Sequence, residues 1–134
     1  MIIADSNLII YAANLDYDWL VAWFETVEPS VSRISYVEAL GFHGLRPEEK
    51  RKLELFFGAA KFVEVSEEVA VKAARLRQKK KMKLGDSLIA ATALAHGLTL
   101  ATHNTADFAW ITDLSVIDPF DQQTKSQSNK GASL

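Results

Sequence analysis

The alternation of short apolar runs with helical segments constrains the fold of this chain more than any other feature. Runs of this length that are rich in β-branched residues are typical of strands buried on both faces. Strands that alternate with helices predict an α/β fold: a three-layer α/β/α domain with a central five-stranded parallel sheet. The five predicted strands are Met1–Ala4, Val31–Ile34, Phe62–Val65, Leu98–Thr102 and Leu114–Ile117.

The apolar pattern continues to Phe120 and then stops. Residues 1–120 are long enough for one domain with its own hydrophobic core. Residues 121–134 are mostly Gln, Ser, Asn, Lys and Gly, and such a segment has too little apolar surface to offset the entropy of ordering. We therefore predict a domain over 1–120 and a polar, disordered tail over 121–134.

Charge and cysteine content limit the classes of partner and compartment. The formal net charge of −2 gives no general attraction to nucleic acid or to anionic membranes, so a polyanion needs a local basic patch or a bound cation. The absence of cysteine excludes disulfides and thiolate metal sites, and it is consistent with a reducing cytosol. No basic leader and no apolar run of membrane length is visible, which predicts a cytoplasmic protein without membrane association.

Acidic residues recur where the predicted strands end. Asp5 follows the first strand, Glu38 lies one turn into the helix after the second, where Ser35 is a predicted cap, and Asp107 follows the fourth. Asp86 begins the helix that leads into the fourth strand, and a crossover helix antiparallel to the sheet begins at the same edge. Ligands of open α/β sheets bind at this edge. We therefore expect these four carboxylates to converge.

Four converging carboxylates repel one another and need protons, lysines or a divalent cation as compensation. Oxygen ligands without cysteine favour a hard cation, Mg²⁺ or Mn²⁺. Such ions contact phosphate oxygens and activate water for in-line attack. The acidic residues therefore predict metal-assisted hydrolysis of phosphodiester bonds.

Each acidic residue also has a purely structural explanation. Asp5 and Asp86 are typical helix caps, and Asp107 could end a turn. Glu38 could lie at an exposed helix edge, although its apolar neighbours favour burial, where an unpaired carboxylate is costly. Taken singly, each residue favours the structural role, whereas their joint placement favours a shared site.

A basic run lies directly before Asp86. Basic side chains next to an acidic site could hold the phosphates of RNA, but a charged run is equally typical of a solvated helix face. The candidate RNA-binding residues are Arg75, Arg77, Lys79, Lys80, Lys81 and Lys83.

An aromatic stripe follows the first predicted helix. Trp19, Trp23 and Phe24 recur at helical spacing. Such a stripe is usually core, but one this large in a small domain is also expected to form part of a partner surface.

The ordered spacing of four motifs resembles PIN-domain proteins, and most of all the VapC-type toxins of bacterial and archaeal toxin–antitoxin systems. The resemblance covers about residues 1–120. The motifs are Asp5-Ser6-Asn7 after an apolar strand, Ser35-x-x-Glu38, Asp86-Ser87-Leu88-Ile89-Ala90-Ala91 and Thr102-x-Asn104-x-x-Asp107-Phe108.

The resemblance implies a Mg²⁺- or Mn²⁺-dependent endoribonuclease that forms a homodimer and binds a cognate antitoxin protein. An RNA-processing PIN nuclease outside a toxin–antitoxin system and a catalytically silent partner-binding module remain alternatives. By motif, the implied catalytic and metal-binding residues are Asp5, Glu38, Asp86 and Asp107, with Ser6 and Asn104 as supporting polar groups.

Two unrelated classes fit the sequence less well. A phosphatase with Asp5 as nucleophile usually needs a second acid two residues later, where this chain has Asn7. A phospho-accepting receiver domain needs a lysine at the end of its last strand, and residues 114–118 contain none.

Overall fold

The computed structural model describes residues 1–14 and 17–121, and these form a five-stranded, all-parallel sheet in the order β3-β2-β1-β4-β5. The predicted α/β class and parallel sheet are confirmed. The strands are β1 (Ile2–Ala4), β2 (Ser30–Ser32), β3 (Lys61–Val63), β4 (Thr99–Ala101) and β5 (Val116–Ile117). The helices are α1 (Ser6–Ala12), α2 (Asp18–Val27), α3 (Arg33–Leu40), α4 (Pro47–Ala59), α5 (Glu67–Lys79) and α6 (Leu84–His96), with a 3-10 turn at Thr105–Asp107.

Two apolar clusters cover the two faces of the sheet. Successive side chains of a strand point to opposite faces, so Ile3 belongs to one cluster and Ala4 to the other. The first cluster contains buried residues of α5 and α6, and the second contains buried residues of α1, α2 and α4. The domain therefore has the three layers that the sequence predicts.

The strand order places a topological switch beside β1. From β1 the chain adds β2 and β3 on one side, and β4 and β5 are then added on the other. The crevice beyond the carboxyl end of β1 is consequently the expected ligand site of this sheet. Asp5 is the first residue after β1 and lies at this crevice.

The junction between β2 and α3 differs from the sequence prediction. The strand ends at Ser32, whose Oγ accepts a hydrogen bond from the Ile34 N–H at 3.2 Å, so Ser32 is the N-cap of α3. Arg33 and Ile34 therefore belong to the helix, and the assignment of the cap to Ser35 is wrong. Ser35 lies inside α3 and is fully buried.

The helix α6 is aligned with β4 by the turn at its end. Gly97 has φ 63°, a left-handed conformation that glycine adopts without steric cost, and its N–H bonds to the Ala93 carbonyl. The chain passes from this turn into β4 within two residues. Gly97 is therefore the C-cap of α6, and the beginning of this helix lies at the carboxyl edge of the sheet.

The aromatic stripe of α2 is only partly buried. Phe24 belongs to the core, whereas Trp19 and Trp23 are partly exposed. Trp19 packs edge-on against Phe120 with ring centroids 4.8 Å apart, and Trp23 packs against Phe24 at 5.1 Å. Coverage of this stripe by a partner remains a prediction.

No helix in the described ranges is long and apolar enough to cross a membrane. The predicted tail, apart from Asp121, lies outside the described residues.

Candidate active site

Asp5 is a buried carboxylate held by a hydrogen bond across the sheet. Only 3% of its surface is exposed, and its Oδ2 accepts a hydrogen bond from the Thr102 Oγ1 at 2.8 Å. It occupies the N-cap position of α1, but its side chain makes no capping hydrogen bond to that helix. The capping role that the sequence allowed therefore does not explain the orientation of this carboxylate.

The surroundings of Asp5 disfavour its charged form. Its pKa is raised from 3.8 to about 6. Burial is the largest cause, and the nearby charges of Asp86 and Glu38 add to it. The Thr102 hydroxyl and the backbone of Ser6 act in the opposite direction and lower it. The charge of Asp5 is thus undercompensated at neutral pH.

Thr102 connects Asp5 to the loop that carries Asp107. Its Oγ1 accepts a hydrogen bond from the Asn104 backbone N–H at 3.1 Å. Because a hydroxyl has one proton to donate, that proton goes to Asp5. Asn104, predicted as a supporting polar group, thus contributes its backbone N–H to the contacts around Asp5.

Glu38 is exposed, so the expectation that its apolar neighbours bury it is wrong. The physical reason is that α3 is peripheral on this face, with Val37 60% exposed. The Glu38 carboxylate is nevertheless fixed, because the Ser6 Oγ donates to its Oε1 at 2.7 Å. The Ser6 hydroxyl has one proton, and it donates this proton to Glu38. In the 2.8 Å hydrogen bond between the Ser6 and Ser35 Oγ atoms, Ser35 is therefore the donor.

Gly85 allows α6 to lie directly against the Glu38 carboxylate. A Cβ at position 85 would lie 2.8 Å from the carboxyl carbon of Glu38, closer than real Cβ contacts. The Glu38 charge therefore lies beside the beginning of α6, where the helix dipole favours negative groups.

Asp86 is partly buried in the first turn of α6. The N-cap of this helix is Lys83, so the alternative that Asp86 is the N-cap is wrong. Burial is the main cause that raises the pKa of Asp86, and the charges of Asp107 and Glu38 raise it as well, while Lys83 lowers it. Asp107 itself is exposed in the 3-10 turn.

The four predicted acids interact as a chain of neighbours rather than as a closed cluster. The charge of Asp86 raises the pKa of Asp5, the charge of Glu38 raises the pKa of both, and the charge of Asp107 raises the pKa of Asp86. Within residues 1–14 and 17–121, no three carboxylate or imidazole groups are close enough to form a ready-made cation site. The donors at this edge are all oxygens, and two carboxyl pKa values are raised, so a divalent cation such as Mg²⁺ or Mn²⁺ fits both the donor chemistry and the uncompensated charge.

All six basic residues of the run are exposed. Lys83 is the member that the structure places beside an acid, because its charge lowers the pKa of Asp86. Arg77 stabilises the turn between α5 and α6 through a hydrogen bond from its Nε to the Met82 carbonyl at 3.3 Å. Lys80 lies over the ring of Trp110.

The sequence patterns predict no role at the site for Ser35, Thr102 or Gly85. Ser35 precedes Glu38 by three residues, which places both on one face of a helix, and this spacing was an available signal. The pairing of Thr102 with Asp5 joins residues 97 positions apart and needs the strand order. The contact between Gly85 and Glu38 depends on the approach of two helices.

Thr102→Val is expected to destabilise the protein more at pH 7 than at pH 4. The Thr102 hydrogen bond lowers the pKa of Asp5, so its loss raises that pKa further and removes the side-chain donor of a buried carboxylate, at a cost of about 1–3 kcal/mol. Chemical denaturation at both pH values measures the difference. Thr102→Ser is the matched control, because it keeps the hydroxyl and loses one methyl, which costs about 0.8 kcal/mol at either pH. Equal losses for Thr102→Val at the two pH values would show that the hydroxyl does not act through Asp5.

Comparison with known proteins places this chain in a family. The family model of the PIN domain matches residues 2–112. The chain therefore belongs to the PIN domain family, and the resemblance inferred from its motifs is confirmed. PIN domains are nucleases.

Solved structures with the same fold include toxin–antitoxin complexes. The chain is similar to a VapBC2 structure from Rickettsia felis bound to a promoter DNA fragment, with 23% identity and a TM-score of 0.76 over 88% of this chain and 98% of that one. It is also similar to a toxin–antitoxin complex from Klebsiella pneumoniae, with 27% identity and a TM-score of 0.66 over 87% and 96%. For FitAcB from Neisseria gonorrhoeae the values are 28% and 0.70 over 90% and 99%. No curated protein sequence matches the chain.

Proposed function

We propose that this protein is a metal-dependent endoribonuclease and the toxin of a toxin–antitoxin pair. The observation that carries this proposal is the buried Asp5 carboxylate, whose pKa is raised to about 6, at the switch point of a PIN-domain sheet and beside the charges of Asp86 and Glu38. A folded protein retains such an arrangement against its electrostatic cost when the site has a function, so perturbed carboxylates in a crevice indicate catalysis.

The cation would be held by the predicted acidic residues. Asp5 and Asp86 are the more enclosed pair, while Glu38 and Asp107 are exposed and lie beside Asp86. A bound Mg²⁺ or Mn²⁺ neutralises phosphate charge and makes water a better nucleophile. The four carboxylates are proposed as the catalytic and metal-binding set, with Ser6 and Asn104 supporting them.

The protein's own groups are proposed to orient the reactants. Thr102 donates a hydrogen bond to one oxygen of Asp5, and Ser6 donates one to one oxygen of Glu38, and these bonds are proposed to hold each carboxylate in one orientation. In-line attack of water on phosphorus breaks the bond to the 3′ oxygen, and the products are a 5′-phosphate and a 3′-hydroxyl. The basic run is proposed to hold the RNA backbone, with Lys83 nearest to the acids.

A protein partner is proposed on the basis of the structural neighbours. The Klebsiella relative, 27% identical over most of both chains, is a toxin–antitoxin complex. We propose that this chain likewise binds a cognate antitoxin, forms a homodimer and acts in the cytoplasm. A small gene directly upstream that encodes a binding partner would support this, whereas a lone gene would favour the alternative of an RNA-processing nuclease.

Cleavage of a panel of structured RNAs tests the enzymatic part of the proposal. Purified protein is expected to cut in Mg²⁺ or Mn²⁺ and to lose activity in EDTA, leaving 5′-phosphate ends. Activity is also expected to fall with salt, because the basic side chains compete with counterions for the RNA phosphates. Failure to cut any RNA in either metal, together with retained antitoxin binding, would instead support the catalytically silent module.

A further inference from the structure

We propose that residues 118–120, here named the C-terminal clamp, hold the loop after β4 and thereby position Thr102, Asn104 and Asp107 at the acidic edge. The clamp residues are positioning residues, because they act on the site through that loop. This inference rests on the proposed metal-dependent nuclease function, and it adds a determinant of the site that lies outside the acidic set.

The clamp follows directly after the paired strands β4 and β5. The Thr102 N–H donates a backbone hydrogen bond to the Ile117 carbonyl at 2.9 Å. The next residue of each segment continues this pairing through side chains, because the His103 Nδ1 lies 3.0 Å from the Asp118 Oδ2. A carboxylate only accepts, so the Nδ1 atom carries the proton. The other oxygen of Asp118 accepts from the Phe120 N–H at 2.9 Å, so this carboxylate joins the loop to the chain after β5.

The ring of Phe120 contacts rings from three other segments. The His103 ring lies nearest, with centroids 4.0 Å apart and planes tilted by 31°. Tyr11 of α1 and Trp19 of α2 pack edge-on against Phe120, with centroids 6.0 Å and 4.8 Å away. Aromatic pairs in such geometries add to the stability that buried area alone provides. Phe120 therefore ties the loop after β4 to two helices.

The loop that the clamp holds carries three groups of the candidate site. Thr102 donates to the buried Asp5 carboxylate at 2.8 Å and accepts from the Asn104 N–H at 3.1 Å. The Asp107 N–H bonds to the Asn104 carbonyl at 3.1 Å. His103 lies between Thr102 and Asn104 in the chain, so a displaced His103 strains the contacts of both neighbours. Loss of the clamp should consequently loosen the donor of Asp5 and the turn that carries Asp107.

The competing explanation is that Phe120 only covers the core. It does pack against the apolar cluster on the face of α1 and α2, and such a residue would affect stability alone. The hydrogen-bonded pair favours the positioning role, because 42% of the His103 side chain is exposed while only 8% of the Asp118 side chain is. A side chain as exposed as His103 adds little to core burial, so its two contacts with the clamp mainly fix the loop.

Hydrogen exchange of the Asn104 amide in EDTA tests the clamp independently of RNA cleavage. Phe120→Leu keeps an apolar side chain but removes the ring that stacks on His103. We expect the Asn104 amide to exchange roughly 3- to 10-fold faster, the factor that corresponds to one aromatic pair. Amides in loops exchange through local opening, so this rate reports on the loop rather than on global stability.

Phe56→Leu is the matched control for the lost ring. Phe56 is also partly buried, and it packs edge-on against Phe24 and Phe57 at 5.4 Å and 5.2 Å. It lies on α4 and has no listed role in the loop after β4. This variant should lose stability to a similar extent, as measured by thermal melting, without a change in the exchange of the Asn104 amide.

His103→Asn separates the ring contact from the hydrogen bond. The asparagine amide can donate to Asp118 from the position of Nδ1, but the stacking on Phe120 is lost. The Asn104 amide should therefore exchange about as fast as in Phe120→Leu. The double variant should exchange scarcely faster than either single variant, because both substitutions remove the same contact.

A Mn²⁺ titration and steady-state cleavage test the consequence for the site. In Phe120→Leu, the Mn²⁺ concentration at half of the melting shift should rise roughly 10-fold and kcat should fall roughly 10-fold, as is typical when a group that orients metal ligands is lost. The KM for RNA should change less than kcat, because the clamp acts through the loop. Phe56→Leu should match wild type in all three measurements.

Two results would overturn this proposal. One is unchanged exchange of the Asn104 amide in a folded Phe120→Leu, and the other is a wild-type Mn²⁺ midpoint and kcat in a variant whose Asn104 amide exchanges faster. Failure of the ribonuclease proposal is distinguishable from both. Absence of RNA cleavage by the wild type in any metal, with faster exchange and a raised Mn²⁺ midpoint in Phe120→Leu, would contradict only the enzyme.

Discussion

Asp5→Asn is expected to abolish metal-dependent RNA cleavage while preserving or raising the stability of the metal-free protein. The asparagine keeps the shape of the side chain and an oxygen that accepts from Thr102, but it removes the charge. Removal of one preorganised electrostatic group from an active site typically reduces the rate by roughly 10²–10³-fold. We therefore expect at least about a hundredfold loss of activity with no loss of fold.

The stability effect follows from the direction of the pKa shift. Folding raises the pKa of Asp5 from 3.8 to about 6, so the folded state holds this proton more tightly than the unfolded state does. The free energy of unfolding of the wild type consequently decreases as pH rises from about 4 to about 6, by about 3 kcal/mol for this group, and stays at the lower value above that range. The free energy of unfolding of Asp5→Asn does not fall in this way. The variant should therefore be more stable than wild type at pH 7 and equally stable at pH 4.

Denaturation of both proteins in EDTA at pH 4 and pH 7 measures this difference, and cleavage in Mg²⁺ measures the activity. If Asp5→Asn is no more stable than wild type at pH 7, the charge of Asp5 does not strain the metal-free fold. If it cleaves RNA at the wild-type rate, Asp5 is structural.

Gly85→Ala is expected to reduce cleavage roughly a hundredfold by displacing Glu38. The added Cβ would collide with the Glu38 carboxylate, which must then leave the hydrogen bond from Ser6. A displacement of about 1 Å of a catalytic group can cost roughly 10²-fold in rate. The fold should be retained, because Glu38 is exposed and can move outward.

Gly58→Ala is the matched control for this substitution. Gly58 also lies in a helix, and a Cβ there meets no atom within 4 Å. The control should leave cleavage unchanged and stabilise the protein by about 0.4–1 kcal/mol through the reduced entropy of the unfolded chain. Wild-type activity in a folded Gly85→Ala would show that the position of Glu38 does not matter for catalysis.

The parallel sheet could be predicted because strands buried on both faces are short, nearly continuous apolar runs. Their ends could not be placed, and the junction after β2 shows why. Ile34 is apolar and packs partly against the core, as a strand residue would, yet it belongs to α3 because Ser32 accepts its N–H. An apolar residue indicates a buried position. A buried position can be the last residue of a strand or lie in the first turn of a helix, so the apolar pattern does not place the boundary.

The acidic residues could be proposed from sequence because the carboxyl ends of parallel strands meet at one edge. The burial of Glu38 could not be predicted from its neighbours, because Val37 faces solvent on a peripheral helix. The hydrogen bonds from Thr102 to Asp5 and from Ser6 to Glu38 join segments that are distant in the sequence. The close approach of Gly85 to Glu38 does so as well. Local sequence patterns contain no information on those distances.

The most direct test of the central claim is a paired Mn²⁺ titration of wild type and Asp5→Asn, in which the melting temperature and the RNA cleavage rate are measured in the same samples. A cation that binds the acidic edge relieves its repulsion and raises the melting temperature by mass action. We predict that both signals in the wild type reach half their maximum at the same Mn²⁺ concentration, and that both are lost in Asp5→Asn. Equal cleavage in EDTA, or full cleavage and an unchanged melting shift in Asp5→Asn, would contradict it.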